Sequence, residues 1–141
     1  MREILFRGKN VDSGEWVYGG YSLYPHTRFP CKPTIYEVDS GCWNPVEIVP
    51  DTLGQYTGLN DKNGKRIFEG DIIRYHEAVG SVRFGTYPSA YESRNTHAGF
   101  YIEWHIDRML RIDLAFWANE RGVEVIGNIH DNPEMLEVQH D

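Results

Sequence analysis

The sequence reads as a mainly β protein, α+β at most, on three observations. Short runs of β-branched and aromatic residues alternate with clusters of Gly, Pro, Asn and Asp, the punctuation of strands and turns. Only one stretch carries a helical period. The chain is 40% hydrophobic and 13% aromatic, enough apolar surface to offset the entropy of ordering it. Its 141 residues suit one domain or two small lobes, and a chain of this size buries roughly 68% of its unfolded surface. The expected organisation is an N-terminal β lobe with a Pro-rich bridge over residues 1–50 and a C-terminal β unit over residues 51–141. A single cooperative unit is the alternative.

The elements follow in order. Ile4-Leu5-Phe6 is a short strand and Trp16-Val17-Tyr18 begins its partner, so Ile4 to Tyr21 is expected to be a hairpin turning at Asp12-Ser13-Gly14. Between Pro25 and Pro50 stand five of the seven prolines and both cysteines. Proline cannot donate to a ladder, so edge strand and irregular connection are expected here, with strands at Thr34 to Val38 and Val46 to Val49. Gln55-Tyr56-Thr57 and Arg66-Ile67-Phe68 flank a polar turn, Asn60 to Lys65, with Asn63-Gly64 at its tip.

Asp71 to His76 and Val79 to Phe84 then read as paired strands joined at Glu77-Ala78. Ile73, Tyr75, Val82 and Phe84 alternate with Arg74, His76, Ser81 and Arg83, which predicts one buried and one wet face. A further strand spans Gly99 to Trp104. Leu110, Leu114 and Trp117 recur at helical spacing, with Asp107 as N-cap and Gly122 as the stop, which predicts a helix over 108–121. Val123 to Ile129 is the last strand, and Asn132-Pro133 opens a final turn through Leu136.

Charge narrows the function classes. The net charge is -7, from 14 Lys and Arg against 21 Asp and Glu. Within residues 113–141 seven acids face Arg121 alone, whereas residues 1–112 hold 14 acids and 13 bases. A phosphate-backbone surface needs a basic stripe, so nucleic-acid binding is not expected. Two cysteines, Cys31 and Cys42, suit a reducing compartment, the start carries no signal-peptide run, and no apolar stretch reaches membrane-spanning length. A cytoplasmic protein is expected.

Several motifs occur in linked order: Gln55-Tyr56-Thr57-Gly58-Leu59 with Asp61-Lys62-Asn63-Gly64-Lys65, Phe68-Glu69-Gly70-Asp71-Ile72, and Glu124-Val125-Ile126-Gly127-Asn128-Ile129 with Asn132-Pro133-Glu134. With Met1 to Arg7 and Gly14 to Tyr18, they resemble the YopX family of phage and prophage proteins. The resemblance implies a C-terminal SH3-like β-barrel, which would carry the helix near 108–121, and a place in the cytoplasm of a bacterial host cell. It brings no catalytic residues and no cofactor.

Chemistry candidates read structurally. Gly70-Asp71 suits a bend held by the Asp71 carboxylate, and Asn128 and Asn132 suit turns or caps. Cys31, Cys42, His26, His97, His105 and His130 lack metal-ligand spacing, and no nucleophile, phosphate-loop or metalloprotease motif occurs. No catalytic residue, metal or cofactor is expected. The aromatic-rich loop from Tyr87 to His97, with Tyr91 and Arg94, is the expected contact region, while Phe100 and Trp104 are expected to fill the core. The reading favours a non-enzymatic accessory protein that binds a host or phage protein, with homo-oligomerisation open. A nucleic-acid-associated module and a hydrolase or metal-dependent enzyme are the alternatives.

Overall fold

The structure is a computed structural model and describes residues 3–22, 33–39, 42–88, 96–105 and 111–136. The chain divides into two compact units, Met1–Tyr56 and Thr57–Asp141. The division falls inside a strand, six residues beyond the 50/51 position read from the prolines. Mainly β structure is found in both units, and every strand pairing is antiparallel.

In the first unit β1 (Phe6–Lys9), β2 (Trp16–Ser22), β3 (Thr34–Asp39) and β4 (Cys42–Glu47) pair in chain order, with Gly54 and Gln55 of β5 (Gly54–Asn60) on the far side of β1. The expected first hairpin forms, starting two residues later than Ile4. The Asn10 Oδ1 accepts the Asp12 N–H at 2.8 Å and the Gly14 N–H donates to the Asn10 carbonyl at 2.9 Å, which closes the turn. Pro45 lies in β4 at the sheet edge, where a missing donor disrupts no interior ladder. Val17, Ile35 and Ile48 form the core, with Phe6, Val46 and Leu53 against it. Arg7 is buried, and its guanidinium lies over the Trp16 ring at 4.6 Å, so the indole shares in holding the charge. Thr52 Oγ1 accepts the Lys9 N–H at 2.9 Å and donates to the Val49 carbonyl at 2.6 Å, tying the 3₁₀ turn Pro50–Thr52 to the end of β1.

The second unit contains the rest of β5, its partner β6 (Arg66–Phe68), and an open four-stranded sheet. That sheet comprises β7 (Asp71–Tyr75), β8 (Ala78–Pro88), β9 (Thr96–Trp104) and β10 (Glu124–Asn128), in the order β10-β7-β8-β9. No closed barrel is found among the described residues. The core gathers Ile67, Ile73, Val82, Ile102, Leu114, Trp117, Val123 and Val125. Six of these, Ile67, Ile73, Val82, Ile102, Leu114 and Val123, have no solvent exposure, and each fully buried aliphatic side chain contributes on the order of 2 kcal/mol.

The two-face reading of β7 and β8 needs correction. Ser81 and Ile72 are fully buried as well as Ile73 and Val82, because the 3₁₀ turn Pro133–Leu136 packs on β8 and covers the face expected to be wet. Phe84, expected inside, is 59% exposed. Its strand runs past the sheet: β7 reaches β8 only as far as Ser81, whereas β8 and β9 stay paired from Gly80↔Trp104 to Pro88↔Thr96.

The helix is shorter than expected. Helical structure runs over α1 (Leu114–Phe116) and a π-helical turn, Trp117–Arg121, while Asp107 to Leu110 lie outside the described residues. The cause is local to residues 111–113. The indole N–H groups of Trp104 and Trp117 both donate to the Arg111 carbonyl, at 3.2 and 2.9 Å, and the Ile102 N–H donates to the Ile112 carbonyl at 2.7 Å. Residues 111–113 are therefore held extended along β9, with a bridge between Tyr101 and Asp113. Asp113 precedes α1 but its carboxylate pairs with Arg111 at 2.7 Å instead of capping. The expected stop is found: Gly122 adopts φ 77°, a conformation that penalises any side chain, and its N–H donates to the Trp117 carbonyl at 2.9 Å.

Asp61 joins the β5–β6 turn to β10. Its carboxylate is buried and accepts the N–H groups of Asn63 (2.9 Å), Lys65 (2.8 Å) and Val125 (3.0 Å). Asp61→Ala leaves three backbone donors without their acceptor and is expected to destabilise the protein by about 3 kcal/mol, read from chemical denaturation. Ending the chain at Gly122 removes β10, the only strand paired with β7 on that side, and is expected to abolish the cooperative thermal transition of the second unit.

Candidate functional site: an aromatic ribbon

From Val82 outward, β8 and β9 form a two-stranded ribbon whose faces are set by register. Residues directly opposite share a face. One face continues the core from Val82 and Ile102 to Phe84 and Phe100, whose rings meet edge-on at 5.0 Å. The other carries Arg83, paired with Glu103 at 3.3 Å, then Tyr101, Tyr87 and His97. Tyr87 lies 5.5 Å from Tyr101 and 5.6 Å from His97, ring centre to ring centre. Tyr101 extends over Gly85, where a Cβ would stand in ordinary contact with the tyrosine ring, 3.7 Å away.

Two members of the contact region expected from the sequence, Tyr87 and His97, are thus brought together. The others, Tyr91 and Arg94, lie outside the described residues. Trp104 is half-buried against Trp117, 5.1 Å away, as core filling requires. Phe100 packs on the core on one side and meets Phe84 on the other. The sequence concealed Phe84, because its alternation matched that of Val82; the signal that separates them is how far β7 extends.

The Tyr87 pKa lies above the usual 10.0, first because the phenol is partly desolvated, then because the Asp113 carboxylate disfavours a phenolate; Arg111 opposes the shift. Tyr87 therefore presents a neutral hydroxyl at neutral pH.

The remaining candidates have structural roles. Asp71 is 2% exposed and its Oδ2 accepts the Phe68 N–H at 2.8 Å, the expected bend. Asn128 Oδ1 accepts the His130 and Asp131 N–H groups at 3.0 and 2.9 Å. Asn132 Oδ1 reaches back to the Asn128 N–H at 3.3 Å instead of capping its own turn. It lies 2.6 Å from where a Cβ on Gly127 would stand, so a side chain at that position in the bulged β10 would displace it. Among the described residues no three His, Cys, Asp or Glu side chains converge as a metal requires. Cys31 and the side chain of Cys42 lie outside them. Among the described residues no helix is long and apolar enough to cross a membrane.

Two units of antiparallel sheet, one bearing an aromatic ribbon, define a small mainly β protein. It belongs to the YopX family: the family model, described as YopX protein, matches residues 5–137. Among solved structures, the chain is similar to the crystal structure of protein EF1440 from Enterococcus faecalis. The TM-score is 0.54 and the identity 21%, over 97% of this chain and 100% of that one, a likeness of fold alone. No curated protein matches it.

The Tyr87 environment is testable. In a pH titration followed by tyrosine ring resonances, Tyr87 is expected to deprotonate above the usual 10.0. Asp113→Asn should lower its pKa and Arg111→Gln raise it. Because the folded state holds this proton more tightly, the associated stability is present below pH 10.0 and fades as the pH rises through the raised value.

Proposed function

We propose that this YopX-family protein is a non-enzymatic phage or prophage accessory protein that binds a host or phage protein in the bacterial cytoplasm, with the ribbon as its contact surface. The observation that carries this reading is Phe84, 59% exposed and edge-on to Phe100 at the margin of the core. A large aromatic held rigidly at a surface is the residue type that dominates protein contacts. A second feature supports an extended form for the partner. Beyond Tyr101, the outer backbone edge of β9, Thr96–Phe100, pairs with no strand among the described residues. An extended segment of the partner would add to that edge and place an apolar side chain beside Phe100, whose ring meets Phe84. Self-association through the same edge is the homo-oligomeric form of this mode.

The test compares capture from infected host cells by the natural protein and by Phe84→Ser/Tyr87→Ala. A protein retained by the natural chain and lost with the double variant, at unchanged melting temperature, is the expected result. Identical capture by both, or recovery of nucleic acid alone, overturns it. Sedimentation of the purified chain separates the homo-oligomeric form.

A further inference from the structure

The one base of the acidic C-terminal segment does not stand alone in the fold. Arg121, at the end of the π-helical turn, shares a cleft of about 460 Å³ with Lys62 from the β5–β6 turn and Arg74 and His76 from the end of β7. The single carboxylate in the cleft, Glu124, pairs with Arg74 at 2.6 Å. Neither Lys62 nor Arg121 has an ion pair among the described residues, and the Arg121 guanidinium lies over the Phe116 ring at 5.4 Å. Two cations without an ion pair among the described residues therefore line one cavity.

The backbone holds them in place. The Lys62 N–H donates to the Val123 carbonyl at 2.9 Å, and the Lys62 Cβ would lie 3.5 Å from a Cβ on Gly122, so the Lys62 and Arg121 segments are in register. Asp61 and Lys65 close the turn behind Lys62. On the opposite wall His76 occupies the first position of a two-residue hairpin turn at φ 53°, the only non-glycine residue with positive φ among the described residues. Glycine is the residue that turn favours. His76 adopts that conformation at a conformational cost and lines the same cleft, its ring edge-on to Tyr75 at 4.4 Å.

We propose that this cleft binds the phosphate group of a small molecule, with Lys62 and Arg121 as its charge partners and His76 as a further donor. Two unpaired cations match the charge of a phosphate monoester, and the guanidinium fork matches its oxygens. The cleft is a local exception on an acidic chain, where Glu120, Asp131 and Glu134 are exposed. A compact anion meets the cleft alone, whereas a polyanion would extend over those carboxylates.

Amide resonances of the full chain, titrated with inorganic phosphate and with adenosine 5′-monophosphate at constant ionic strength, test this. Saturable shifts at Lys62, His76 and Gly122 in the millimolar range or below are expected. Lys62→Gln/Arg121→Gln should weaken binding at least about tenfold without lowering the melting temperature. His76→Gly should bind more weakly while melting higher, a divergence that loss of fold does not produce. Equal affinity for the two ligands assigns the site to phosphate alone; tighter binding of the nucleotide, with ring shifts at Tyr75 and His76, assigns it to a phosphorylated ring compound. Shifts that do not saturate, unchanged affinity in the double variant, or tighter binding of duplex DNA than of the nucleotide overturns the proposal.

Discussion

The second unit depends on one buried carboxylate. A charged group taken out of water is costly unless its oxygens are satisfied, and the three N–H groups that satisfy Asp61 come from its own turn and from Val125, 64 residues later. Local turn geometry and long-range sheet closure are thus the same interaction. The Lys62 N–H bond to the Val123 carbonyl runs parallel to it, so the strand that completes the sheet is positioned against a preformed turn. Asn63-Gly64 makes that turn favourable in isolation, and Asp61 gives it a tertiary purpose.

A second shared acceptor governs the other side of the core. The Arg111 carbonyl receives both Trp104 and Trp117, and this holds residues 111–113 extended where helical spacing alone predicts a continuous helix. Tertiary hydrogen bonding thereby overrides local periodicity, and the helix begins only at Leu114. The π-helical turn that follows ends in Gly122 and delivers Arg121 to the cleft side.

Local chemistry explains which parts of the fold were legible in the sequence. Gly14, Asn63-Gly64, Gly70-Asp71 and Gly122 each demand a particular backbone conformation, and the turns and the helix stop stand where they point. The faces of β7 and β8 were not legible, since Ser81 is buried by a 3₁₀ turn more than fifty residues away and Phe84 is exposed by the end of a neighbouring strand. The candidate surfaces divide in the same way. Tyr87 and His97 were visible as an aromatic, loop-flanking pair. The cleft was hidden because charge was summed along the chain, and a field depends on which segments fold together: Arg121, outnumbered within residues 113–141, meets Lys62 and Arg74 in space.

The extended segment 111–113 also acts as a ruler. Through Ile112 and Asp113 the chain occupies the inner end of its own sheet edge at Ile102 and Tyr101, and what remains on β9 among the described residues is the five-residue stretch Thr96–Phe100. A strand added there by another chain would run into this internal occupant after about five residues, near the length of an average strand. Open edges ordinarily invite unlimited stacking. An edge already filled at one end presents only a short run of free backbone groups to another chain, and a short edge is a weaker template for such pairing.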